Sequence, residues 1–160
     1  MVHNTCETWN DFQREYGGKG YSKKELSQEW KKYKIEHGIQ SASSSENARI
    51  LQQNMEAEGR FKPGKDYAAH HIVAAGHPNK YASESRKILK KFGIDKNSAV
   101  NGVYLPTKNG ISNAAYHPSV HTKKYFKNVY ELINTAGSRS EAETMLRSIA
   151  LQLENGTFDY

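Results

Sequence analysis

Four of the chain's seven histidines fall into two pairs, His70-His71 and His117-Pro118-Ser119-Val120-His121. An imidazole nitrogen is a good ligand for a divalent transition metal, and two imidazoles four residues apart can face one direction from a helix's first turn. A third ligand from the first pair would complete a tripod and leave one imidazole over. With an ordinary pKa near ~6.5, that spare ring is largely neutral at pH 7 and suited to act as a general base. The chemistry written in these residues is therefore metal-assisted activation of a water molecule. The residues alone do not say which of His70 and His71 ligates and which is the base.

The elements that must position them are legible around the pairs. Ala69-His70-His71-Ile72-Val73-Ala74 is a short apolar run, β-branched at Ile72 and Val73, and reads as a buried strand. Neighbouring side chains of a regular strand point to opposite faces. Both histidines can serve one site only if the backbone turns irregular there, as at a strand end. A basic helix follows, with Ile88, Leu89 and Phe92 inward and Arg86, Lys87, Lys90 and Lys91 outward, and Gly93 ends it. Asn101-Gly102 is a tight-turn signal before the short strand Val103-Tyr104-Leu105. Pro118 suits the first position of a helix, which predicts His117 beside the N-cap and His121 in the first turn. That helix carries Phe126, Val129, Tyr130 and Ile133 as its core stripe. Ser138 and Glu141 cap a last helix bearing Met145, Leu146, Ile149 and Leu153, with Gly156 beyond it.

Upstream, Trp9, Phe12 and Tyr16 share one helical face before Gly17-Gly18. Ser22 and Glu25 form a capping box for a second helix with Leu26, Trp30 and Tyr33 at helical spacing. Gln40 to Ser45 reads as a linker, and Ser43 with Glu46 as the cap of a polar helix running to Glu58. The division expected is a helical segment at 1–40, a linker and polar helix at 41–66, and the site-bearing domain at 67–160.

Charge sharpens this division. Of the net +6, residues 1–66 hold eleven Lys/Arg against ten Asp/Glu, and residues 67–137 ten against three. The histidine segment is thus the basic part, as a phosphate backbone would require. The near-balanced helical pair upstream fits a packing or docking element better than an accessory nucleic-acid clamp. With Cys6 alone, no internal disulfide is available. No apolar run approaches the ~18 residues that span a bilayer. The first residues lack the regions of a signal peptide, so export would need a signal on a larger parent chain.

Taken in order, Ala69-His70-His71-Ile72-Val73-Ala74, Gly93-Ile94-Asp95, Asn101-Gly102-Val103-Tyr104-Leu105-Pro106 and the pair His117/His121 resemble the AHH branch of the HNH/endonuclease VII superfamily of ββα-metal nucleases. The resemblance implies an α+β fold, with a ββα-metal (His-Me finger) core and its short β-hairpin wrapped by helices. It implies a metal-dependent endonuclease, DNA being favoured over RNA, that leaves 5′-phosphate and 3′-hydroxyl ends. By the superfamily's order, His70, His117 and His121 would hold the metal and His71 would be the base. Asn101 would tie the two strands' backbones together and orient that base. Arg86, Lys90 and Lys123 are the expected phosphate contacts. One divalent ion is implied, and three imidazoles suit Zn²⁺, Ni²⁺ or Mn²⁺ better than Mg²⁺. Members of this branch are often toxin domains of bacterial secreted proteins, which implies an antibacterial effector and a cognate immunity protein. The alternatives are an RNase using the same site, or a non-catalytic, metal-stabilised DNA-binding module.

Overall fold

The computed structural model describes Cys6, residues 8–37 and residues 44–160. At its centre is an antiparallel hairpin of β1 (Tyr67–His71) and β2 (Gly102–Pro106), in register from Tyr67 opposite Pro106 to His71 opposite Gly102. The strand expected at 69–74 therefore starts earlier and stops at His71. Beyond it, the Ile72 N–H donates to the carbonyl of Asn101 and the Val73 N–H to the Asn101 side chain. The apolar run Ile72-Val73-Ala74 is buried, but as loop.

Helices α4 (Lys80–Lys91), α5 (Lys123–Ile133) and α6 (Arg139–Asn155) enclose this hairpin in one core, which includes Ile72, Leu89, Val103, Leu105, Phe126, Ile133, Leu146 and Leu153. Each helix start has a chemical reason. Asn79 accepts from the N–H groups of Tyr81 and Ala82, Thr122 from Tyr125, and Ser138 from Glu141. At the far end of α6, Gly156 adopts φ +71, and a Cβ there would meet the Asn113 carbonyl at 2.0 Å. With six helices around a two-stranded antiparallel hairpin among the described residues, the fold is α+β, consistent with a ββα-metal nuclease.

Helix α3 (Ser44–Ala57) packs on the outer face of the hairpin. Its few apolar residues are well placed: Leu51 and Met55 are fully buried with Ala99 and Tyr104. Gly102 makes this approach possible, since a Cβ there would lie 2.6 Å from the Met55 sulfur. Asn101-Gly102 is accordingly no hairpin turn. Asn101 closes a 3₁₀ turn (Ala99–Asn101), and Gly102 begins β2 with an extended backbone. Residues 40–43 of the expected linker, including the Ser43 cap, lie outside the described residues, and Ser44 and Ser45 are already helical.

Helices α1 (Trp9–Tyr16) and α2 (Lys23–His37) form the expected pair, with Phe12 and Trp30 buried and Tyr16 and Tyr33 packed against them. Ser22 accepts from the Glu25 N–H, as its capping box predicts. The pair joins the main body through α1. Asp11 accepts from Arg86 at 2.8 Å and from Ser83 at 3.0 Å, and the Asn10 amide donates to the Gly76 carbonyl. No helix among the described residues is long and apolar enough to cross a membrane.

Candidate active site

Alternation along β1 sends His70 inward and His71 the other way. His70 is buried, with its Nε2 2.8 Å from the Tyr125 hydroxyl. That hydroxyl donates its one proton to the Ile72 carbonyl at 2.7 Å. The tyrosine oxygen must therefore accept from His70, which fixes Nε2 as the protonated nitrogen and leaves the Nδ1 lone pair for a ligand.

The ring centroids of His117 and His121 each lie 5.3 Å from that of His70 and 5.8 Å from one another. One nitrogen from each ring lies within 4.8 Å of the other two, the grouping expected of a three-imidazole metal site. The electrostatics suit a cation's ligands. Burial holds the His70 ring far below the usual histidine range, helped by any charge on His117 and His121. Partial burial also lowers half-buried His117, and brings His121, an exposed residue whose ring is packed against His70 and Phe126, to about 4 with a smaller contribution from His117 and His77. Three neutral nitrogens thus face each other at pH 7, and the donor set fits a borderline-soft divalent ion.

The local backbone around the second pair differs from the helix expected there. His117 begins a 3₁₀ turn (His117–Ser119), and His121 sits in the extended connection before α5. The cause is Thr122, which adopts φ −94 and ψ 161 and uses its hydroxyl to cap α5 at Tyr125. The two rings converge through a turn anchored by buried Val120, not through i, i+4 helical stacking.

His71 is mostly buried, and its Nε2 lies 2.7 Å from the Asn97 side-chain oxygen. Burial lowers its pKa, partly offset by this hydrogen bond. A charge on its ring would in turn lower His70 and His121, as the smallest of the influences on each. Asn101, fully buried, makes three hydrogen bonds with its side chain: from the Val73 N–H, and to the carbonyls of Val73 and Lys96. It pins the loop leaving β1, while the side chain bonded to the His71 ring is that of Asn97.

Arg86 requires a correction. Read from sequence as an outward phosphate contact, it is 4% exposed and donates to Asp11 and to the carbonyls of Ala74 and His77. Helix α4 turns this guanidinium inward, where it braces the loop after β1 and receives α1. Lys90 and Lys123 are exposed, Lys123 only two residues beyond His121. His77 is set against Phe126, its Nδ1 accepting from the Asn79 N–H. His37 packs on Tyr33, and His3 lies outside the described residues.

Two residues of the site escaped sequence reasoning. Tyr125 carries a signal in its spacing, one helical turn past His121, but it falls just off the stripe of Phe126, Val129 and Ile133. Asn97 has none, because its partners come from 26 and 50 residues away.

No curated protein and no solved structure matches the chain significantly. A family model described as a nuclease family of the HNH/ENDO VII superfamily with conserved AHH matches residues 51–153, from the buried face of α3 to the last buried residue of α6. That span takes in more than half of the chain, the hairpin and all four paired histidines, and so the protein belongs to the AHH nuclease family of the HNH/ENDO VII superfamily.

Proposed function

We propose that this nuclease is a metal-dependent endonuclease that hydrolyses DNA, with His70, His117 and His121 as metal ligands and His71 as general base. The observation that carries the proposal is the convergence of three imidazoles, His117 and His121 lying 47 and 51 residues beyond His70 in the chain; His71 follows His70 at the end of β1 and is held on a hydrogen bond of its own. His70, His117 and His121 would hold a divalent ion, which would supply positive charge for the phosphoryl oxygens and the departing 3′-oxygen. His71 takes a proton from water on its unbonded ring nitrogen. The resulting hydroxide attacks phosphorus in line, and the bond to the 3′-oxygen breaks. That oxygen is protonated from solvent, leaving a 3′-hydroxyl and a 5′-phosphate. Asn101 holds the loop that aims the first histidine pair. Exposed Lys123 takes a flanking phosphate, with Lys90 contributing further along the basic face.

DNA is favoured by the resemblance described above, and the positive excess of residues 67–137 supports a polyanionic substrate. The same resemblance supports an antibacterial effector, delivered as part of a larger secreted protein, active in the target-cell cytoplasm and neutralised by an immunity protein. The test is incubation of purified protein with plasmid and with total RNA, each with and without chelator. Plasmid nicking that chelator abolishes is the expected result. Degradation of RNA alone would overturn the DNA assignment, and binding without cleavage would overturn the enzyme. Expression in bacteria tests the effector role: toxicity is expected from the wild type and not from His71→Ala.

A further inference from the structure

Helix α3 reaches the base through a chain of asparagines. Asn97 Nδ2 donates to Asn47 Oδ1 at 3.0 Å, and both residues are buried. Two turns further along α3, Asn54 donates to the Asn97 carbonyl at 2.7 Å, and the Asn97 N–H is itself taken by Asp95. The backbone of Asn97 is therefore held on both sides. Its amide is also oriented: with Nδ2 spent on Asn47, Oδ1 faces the Nε2 of His71 at 2.7 Å. An amide oxygen can only accept, so the ring must present Nε2–H there.

We infer that Asn97 is the positioning residue for His71, and that Asn47 on α3 sets its orientation. Together they lock His71 in the Nε2–H tautomer and reserve Nδ1 as the nitrogen that receives the water's proton. This rests on His71 being the base. A flipped Asn97 amide would offer N–H to Nε2 and select the opposite tautomer, leaving a protonated Nδ1 that cannot accept. Asn47 prevents that flip by supplying an oxygen where only the NH₂ fits. Asn47 lies one turn of α3 before residue 51, where the family match begins.

The test reads the tautomer and the turnover separately. In ¹⁵N-histidine-labelled, metal-free protein, long-range proton–nitrogen correlation should show His71 as Nε2–H. Asn97→Ala should lose that signature and Asn47→Ala should weaken it, while Asn97→Asp, which keeps an acceptor, should retain it. Cleavage by Asn97→Ala should fall about 10–100-fold in kcat, with KM and metal affinity unchanged. Asn97→Asp should recover most of the rate, as a merely structural role for the residue would not require. Nδ1–H at His71 in the wild type, or a signature untouched by Asn97→Ala, would overturn the inference even in an active nuclease. A wild type with the Nε2–H signature and no cleavage under any metal would overturn the proposed function and leave the clamp standing.

Discussion

The hydroxyl of Tyr125 lies 2.8 Å from His70 Nε2 and 2.7 Å from the Ile72 carbonyl, joining the first turn of α5 to the end of β1 and the loop that leaves it. It sets one histidine's tautomer and ties down the loop that follows. Tyr125→Phe keeps the ring and removes both bonds, leaving a buried imidazole N–H and a buried carbonyl without partners. Metal affinity should fall about 10–100-fold, and stability by roughly 1–3 kcal/mol. Titration with a competing chelator and denaturant unfolding measure the two effects.

Substitutions among the four histidines should separate into two classes. His117→Ala and His121→Ala should lose metal in elemental analysis of the purified protein. His71→Ala should keep its metal and lose about 10²–10⁴ in cleavage rate. Equal metal loss in all of them would show that the roles assigned to the rings are wrong.

Acid should act on the cluster in a defined window. His70, His117 and His121 have lowered folded-state pKa values, that of His121 reaching about 4 against 6.5 unfolded. Between those values the unfolded chain binds more protons than the folded one, so stability rises with pH there. The metal-free protein should hold full stability above pH 6.5 and lose it steadily as pH falls toward 4. The same shifts make the neutral ligands persist below pH 6.5, so metal binding should weaken later than ordinary histidines would allow. Denaturant midpoints across this range check the first expectation, with His121→Ala showing a flatter profile.

The ion pair between Asp11 and Arg86 fastens the N-terminal helices to the body. Burial alone would raise the Asp11 carboxyl, but the guanidinium overrides it and holds the group below the usual range. Asp11→Ala strands a buried cation and should cost about 2–4 kcal/mol. Because the carboxyl's pKa is depressed, the pair's contribution is present above about pH 4 and lost below it. Limited proteolysis should cut first within residues 8–37 of the variant.

Gly102→Ala tests the seating of α3. A new methyl would press on Met55 and Leu51 at under 3 Å, costing about 1–3 kcal/mol as overpacking. A fall in Tm of roughly 2–4 °C per kcal/mol is expected for a chain of this size.

Local chemistry is readable where a capping side chain comes with a companion residue at fixed spacing. Ser22, Asn79, Thr122 and Ser138 each bond backbone N–H groups two or three residues on. Of these, the Ser22 and Ser138 caps came with a glutamate three residues later and were legible. Thr122 lacks that companion, and so the local pattern points to Pro118 as the helix start instead. The inward stripes of α5 and α6 followed from period alone. Charge pattern puts Arg86 on the outer face because it cannot say which face of a basic helix meets a carboxylate 75 residues away.

By itself the sequence determined the α+β class, the two histidine pairs and the order of elements that brings an AHH nuclease to mind, because these depend on residue type and short spacing. Only the tertiary structure decided which rings meet, which nitrogen of His70 is free, and that Asn97 attends His71. Those facts hang on hydrogen bonds between groups 26 to 55 residues apart, and no local propensity encodes the folding that closes such distances.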